Sequence, residues 1–88
     1  MIAKNFHITG HVQGVFFRAG VRERAVSFGI AGWARNNADG SLEIHAEGGL
    51  DALQALERWC ARGPEAAGVE KVGVLDVPVQ GCTGFTVL

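Results

Sequence analysis

The sequence predicts an α+β fold of the ferredoxin-like βαββαβ type: an antiparallel sheet with two helices on one face and a short C-terminal edge strand. Three observations predict it. Apolar residues recur at helical spacing over 17–28 and 50–62, and alternating segments flank both stretches. Ala38-Asp39-Gly40 supplies a tight hairpin between the two middle strands, because glycine accepts positive φ without a Cβ clash. Each helix stands between two strands, and right-handed crossovers then place both helices on the same side of the sheet.

The elements follow in order. Residues 2–9 alternate loosely, with Phe6 and Ile8 on one face, and read as a strand. Residues 17–28 set Val21, Ala25 and Phe28 at helical spacing, leave Arg22, Glu23 and Arg24 for the wet side, and stop at Gly29. Residues 30–36 read as a second strand. Ser41 to Ala46 alternates polar and apolar, as a strand buried on one face should, so Glu43, His45 and Glu47 are expected on a solvated face. Leu50, Leu53, Leu56, Trp59 and Cys60 form a helical stripe ended by Gly63-Pro64. Val69 to Val77 and Thr83 to Leu88 read as two further strands, the last at an edge. No repeat, low-complexity tract or linker interrupts the chain.

With 88 residues, the chain is expected to form one domain over 1–88, and its 48% apolar content suffices for a core without disulfides or a metal. Eight basic and nine acidic residues leave a net charge of −1, which lacks the basic footprint that supplies most nucleic-acid affinity. The strand Ser41–Gly48 also has no aromatic residue on which bases could stack. Cys60 and Cys82 form no C-x-x-C pair and read as free thiols. His7, His11 and His45 show no metal-ligand spacing with them. Met1 to Asn5 lacks the apolar core of a secretory signal, and no run approaches the roughly 18 apolar residues of a membrane span. The expectation is a cytoplasmic monomer with no cofactor, no metal, no nucleic-acid partner and no membrane.

The chemistry concentrates in Gly10-His11-Val12-Gln13-Gly14-Val15-Phe16-Phe17-Arg18. A short strand-to-helix loop presents main-chain N–H groups that the helix cannot satisfy, at the positive end of its dipole. Gly10 and Gly14 permit backbone angles that turn several of these N–H groups inward. Arg18, in the first helical turn, adds a planar fork that matches two phosphate oxygens. An anion seat for phosphate or sulfate follows, although an ordinary connection with a solvated arginine carries the same local pattern. Gln13 either holds the loop closed or reaches the ligand. The second stretch, Gly32-Trp33-Ala34-Arg35-Asn36-Asn37 before Asp39-Gly40, ends a strand with two amides. Asparagine favours turns, and alternation sends Asn36 and Asn37 to opposite faces, so at most one of them can join Arg18.

Together these stretches resemble the acylphosphatase family. Residues 10–18 match its G-x-V-Q-G-V-x-F-R signature, and Gly32-Trp33-Ala34-Arg35-Asn36 with Asp39-Gly40 resembles its second motif. Gly63-Pro64 followed by Val69-Glu70-Lys71-Val72 also fits, so the similarity spans essentially the whole chain. The resemblance implies metal-free hydrolysis of a small-molecule acyl phosphate. It implies that Arg18 is the phosphate-binding catalytic arginine and that Asn36 orients the attacking water. It further implies that the main chain of His11, Val12, Gln13, Gly14, Val15, Phe16 and Phe17 cradles the phosphate. The chain departs from the family in three places: Ala19 where an aromatic residue is common, Ala34 where valine is commoner, and a Phe85-Thr86-Val87-Leu88 ending without the frequent basic and aromatic residues.

Overall fold

The computed structural model describes Met1–Leu88. Its elements are β1 (Ile2–His11), α1 (Phe17–Phe28), β2 (Ala31–Asn36), β3 (Leu42–Gly48), α2 (Leu50–Arg62), β4 (Gly68–Val77) and β5 (Phe85–Val87). The five strands form one sheet in the order β4-β1-β3-β2-β5. The four longer strands pair antiparallel, as expected. The edge strand does not: β5 runs parallel to β2, with Gly32 opposite Phe85, so the sheet is mixed.

Side-chain alternation separates the two faces. Phe6 and Ile8 of β1, Ala34 of β2, and Leu42, Ile44 and Ala46 of β3 share one buried cluster with Val21 and Ala25 of α1 and Leu53, Leu56 and Cys60 of α2. Both helices therefore cover the same face. Gly29 ends α1, its N–H bonding to the carbonyls of Ala25 and Val26. The helices meet where α1 has no side chain: a Cβ at Gly20 would lie 2.6 Å from the Trp59 ring. Phe17 meets the same ring edge-on, with centroids 5.5 Å apart. No helix is long and apolar enough to cross a membrane.

The other face departs from the one-sided strand pattern. His45 and Glu47 were expected on a solvated face, yet both are buried, Glu47 with no exposed surface at all. The strand order gives the reason. β4 and β5 lie at opposite edges, so residues 78–84 must cross the helix-free face of the sheet. That crossing covers one end of the face and directs main-chain donors at Glu47. The N–H of Cys82 donates to Glu47 Oε1 at 2.9 Å, and the N–H of Gln80 donates to Oε2. His45 Nε2 lies 2.7 Å from Oε2 and donates to the carboxylate. Trp33 stacks on the His45 ring at 5.7 Å and donates its Nε1 hydrogen to Gln80 Oε1 at 3.3 Å. Glu43, toward the open end, remains half-buried and accepts from Arg35 and Asn5. Both cysteines are free, Cys60 buried and Cys82 partly exposed.

Burial alone would raise the Glu47 pKa, but the hydrogen bonds from His45 and the two main-chain N–H groups outweigh it and hold the carboxyl at about 2, against an ordinary 4.5. A depressed native pKa contributes stability that is fully present above the unfolded value and lost as pH falls through the folded one. Urea denaturation should therefore show stability declining between pH 4.5 and about 2, with Glu47 as a contributor. Glu47→Ala removes the acceptor of two partly buried main-chain N–H groups and of buried His45, and should cost about 2–4 kcal/mol at neutral pH. In the variant, that part of the acid decline should disappear.

Candidate active site

β1 ends at His11, and the next five residues turn the chain into α1. Val12, Val15 and Phe17 are buried and pin this turn to the core. The main chain between those anchors stays outside. Gly14 has φ 74°, where a Cβ would be strained but would meet nothing within 4 Å. Phe16 has φ 63° and ψ 26°, and it is the only non-glycine residue with positive φ. A left-handed phenylalanine costs on the order of 1–3 kcal/mol, and such strain gathers at binding sites. Phe16 is 85% exposed, so its side chain gains little packing against that cost. Phe16 is the N-cap of α1, and no side chain caps this helix end, which leaves its first main-chain donors facing outward.

Arg18 follows in the first turn of α1. One of its terminal nitrogens donates to the main-chain oxygen of Leu88, which ties α1 to the strand edge beyond β5. A guanidinium has five donor hydrogens in a fixed fork, so this contact leaves most of them available. Asn36 is the last residue of β2 and shares parity with buried Ala34, which puts it on the helix-covered face. Asn37 points the other way and donates to Ser41 Oγ at 3.0 Å. Asn36 Oδ1 is buried with no hydrogen-bond partner. A buried acceptor without a donor costs free energy and marks a place where a ligand or water is wanted.

Arg18 and Asn36 line one cavity of about 300 Å³ with Val12, Gly14, Phe16 and Val87. Of the sequence-derived site residues, Phe17 also reaches this cavity, whereas His11, Gln13 and Val15 do not line it. His11 is exposed and Val15 is packed in the core. Gln13 settles the alternative left open by the sequence. Its Nε2 donates to the carbonyls of Asn37, at 2.8 Å, and Ser41, at 3.1 Å, closing the loop onto the β2–β3 turn. That turn is itself braced. Ser41 donates its hydroxyl to Asp39 Oδ1 at 2.6 Å and its N–H to the same oxygen at 2.9 Å. These two bonds hold the Asp39 carboxyl below its ordinary pKa. His7 Nε2 completes the brace, 3.0 Å from Ser41 Oγ.

Val87 and Ala19, which also touch the cavity, were not among the sequence-derived site residues. No local motif signals Val87, because only the parallel pairing of β5 with β2 brings it there. At the opposite end of the sheet, donor atoms of His45, Glu47 and Cys82 fall within 4.8 Å of one another, a grouping that their spacing along the chain conceals. Both Glu47 oxygens already accept hydrogen bonds, so a cation there would have to replace them. Burial, and then the Glu47 carboxylate, pushes the Cys82 thiol pKa up, which disfavours the thiolate a metal needs.

Comparison with known proteins decides the family. The acylphosphatase family model matches residues 4–87. The chain belongs to the acylphosphatase family. An acylphosphatase of Synechococcus sp. (strain CC9311) is 50% identical over 82 residues, covering 93% of this chain and 91% of the relative. One from Pseudomonas aeruginosa is 45% identical over 86 residues, covering 98% and 94%. The crystal structure of a Bacillus subtilis acylphosphatase superposes with a TM-score of 0.97 at 32% identity, covering 100% of this chain and 99% of that one. The chain is thus an acylphosphatase, an enzyme that hydrolyses acyl phosphates.

In this acylphosphatase the Gln13 bonds join the loop to the turn that follows Asn36. Gln13→Ala should lower the melting temperature by about 5–10 °C, the equivalent of about 1–2 kcal/mol in a domain of this size. It should also reduce kcat/KM for benzoyl phosphate about tenfold, roughly 1.4 kcal/mol of transition-state stabilisation. Scanning calorimetry and steady-state kinetics check the two effects separately.

Proposed function

We propose that Arg18 and the main chain of residues 11–17 hold the phosphoryl group, and that Asn36 positions the water that attacks it. The observation that carries this reading is the buried, unpartnered Asn36 Oδ1 in the same cavity as Arg18. A carboxamide oxygen accepts a hydrogen from water, and this one has no other partner to lose. Arg18 supplies a charged fork for phosphoryl oxygens, and its bond to Leu88 limits the positions that the fork can take. The loop contributes fixed N–H dipoles, which need little reorganisation as charge moves during the reaction.

The chemistry suits this modest equipment. Water forms a bond to phosphorus as the bond from phosphorus to the carboxyl oxygen breaks, and the bonding pair leaves with the carboxylate. That leaving group needs little protonation, so positioning and charge stabilisation can carry the reaction. Asparagine is no general base, and the proton of the attacking water passes to a phosphoryl oxygen of the substrate. The products are a carboxylate and inorganic phosphate.

Arg18→Ala and Asn36→Ala should each lower kcat for benzoyl phosphate by at least about 10²-fold, the usual cost of removing a positioned donor or orienting group, while circular dichroism stays native. Arg18→Lys should fare little better, since a point charge cannot reproduce the fork. Near-full activity in either alanine variant removes that residue from the mechanism. The same reading has residues 1–88 acting as one metal-free, cytoplasmic, monomeric domain, with sulfate or phosphate as competing anions and no nucleic-acid partner. Turnover should be unchanged by EDTA, measured in one continuous assay.

A further inference from the structure

We infer that the groove between α1 and β5 is the subsite for the acyl group, and that it selects acyl phosphates with medium-length aliphatic chains. The inference rests on the proposed placement of the phosphoryl group between Arg18 and Asn36. It adds where the rest of the substrate goes.

Ala19, Arg22, Glu23 and Val26 stand at i, i+3, i+4 and i+7 on α1 and so occupy one helix face. With Val87 of β5 they line an open groove of about 670 Å³. That volume falls within the range of small-molecule sites. The groove is not separate from the cavity at Arg18, because Ala19 and Val87 line both. A substrate whose charged end sits at Arg18 therefore has a passage for its uncharged end between these two small apolar side chains. An aromatic residue at position 19 would stand in that passage. Here it is alanine.

Beyond the passage the wall stays apolar in its centre and polar at its rim. Val26 is 63% exposed and Val87 39% exposed, without a covering element. Arg22 and Glu23 are exposed beside them. Phe16, held in its left-handed conformation at the cavity mouth, adds an exposed ring on the near side. From Ala19 to Val26 the helix advances about 10 Å, at roughly 1.5 Å per residue. A chain of several methylenes can lie along that length, whereas an acetyl group would stop at the passage.

The test is a homologous series of acetyl, butyryl and hexanoyl phosphate, with methyl-, butyl- and hexylphosphonate as non-reacting probes in titration calorimetry. An open groove recovers about half the transfer free energy of a fully buried methylene, so kcat/KM and phosphonate affinity should each rise about twofold per methylene. That is about 15-fold over the roughly four methylenes from acetyl to hexanoyl phosphate and about 30-fold over the roughly five from methyl- to hexylphosphonate. Val26→Ser should leave acetyl phosphate turnover unchanged and cut the hexanoyl advantage to below about fivefold. Ala19→Leu, which narrows the passage, should lower hexanoyl phosphate turnover more than acetyl phosphate turnover. Full acetyl phosphate turnover with a flat series overturns the subsite and leaves the Arg18–Asn36 reading intact. Chain-length-dependent phosphonate binding without turnover keeps the subsite and overturns the proposed catalytic roles.

Discussion

Two hydrogen bonds from one primary amide hold the functional end of this molecule together. The loop after β1 and the turn after β2 come from different parts of the chain. Gln13 bridges them, donating to the carbonyls of Asn37 and Ser41. The bridge holds the loop beside the end of β2, where Asn36 sits. Its strength is modest, a few kcal/mol at most for two neutral hydrogen bonds, but it acts on a loop that Val12, Val15 and Phe17 already restrain from below. The anchors set the loop's height over the core, and the amide sets its lateral position.

The sheet divides labour along its length. At the end where β1 stops and β2 runs out, Arg18 and Asn36, with its unpartnered carboxamide oxygen, line one cavity. At the other end, Glu47 closes the crossing segment onto the sheet with every oxygen occupied. One end keeps polar groups waiting for a partner, and the other leaves none. The stability stored at the satisfied end offsets the strain at Phe16 and the orphan acceptor at Asn36 without entering the cavity.

Most of the fold was legible because its signals are local. The helices 17–28 and 50–62 follow from apolar spacing, the strand read over 30–36 is found at 31–36, and Asp39-Gly40 marks the hairpin. Alternation separated Asn36 from Asn37 without choosing between them; the family resemblance pointed to Asn36, which shares its face with buried Ala34. What stayed hidden was long-range. His45 and Glu47 sit on the polar side of a regular pattern, and nothing in residues 41–48 records that 78–84 will cross above them. The parallel direction of β5 follows from that crossing, and so does the arrival of Val87 beside Arg18. The role of Gln13 was undecided for a similar reason, since its acceptors lie 24 and 28 residues away.

Gly20 lets the Trp59 ring rest on the bare backbone of α1. A helix gripped at its main chain cannot roll about its own axis without lifting the ring that grips it. Successive side chains along a helix are separated by about 100° of rotation, so the bearing of Arg18 is locked to that of Gly20 two residues on. The aim of the guanidinium is thereby set by α2, a helix that contributes nothing to the cavity wall. A change at Trp59 would act as a lever on turnover from outside the substrate's reach.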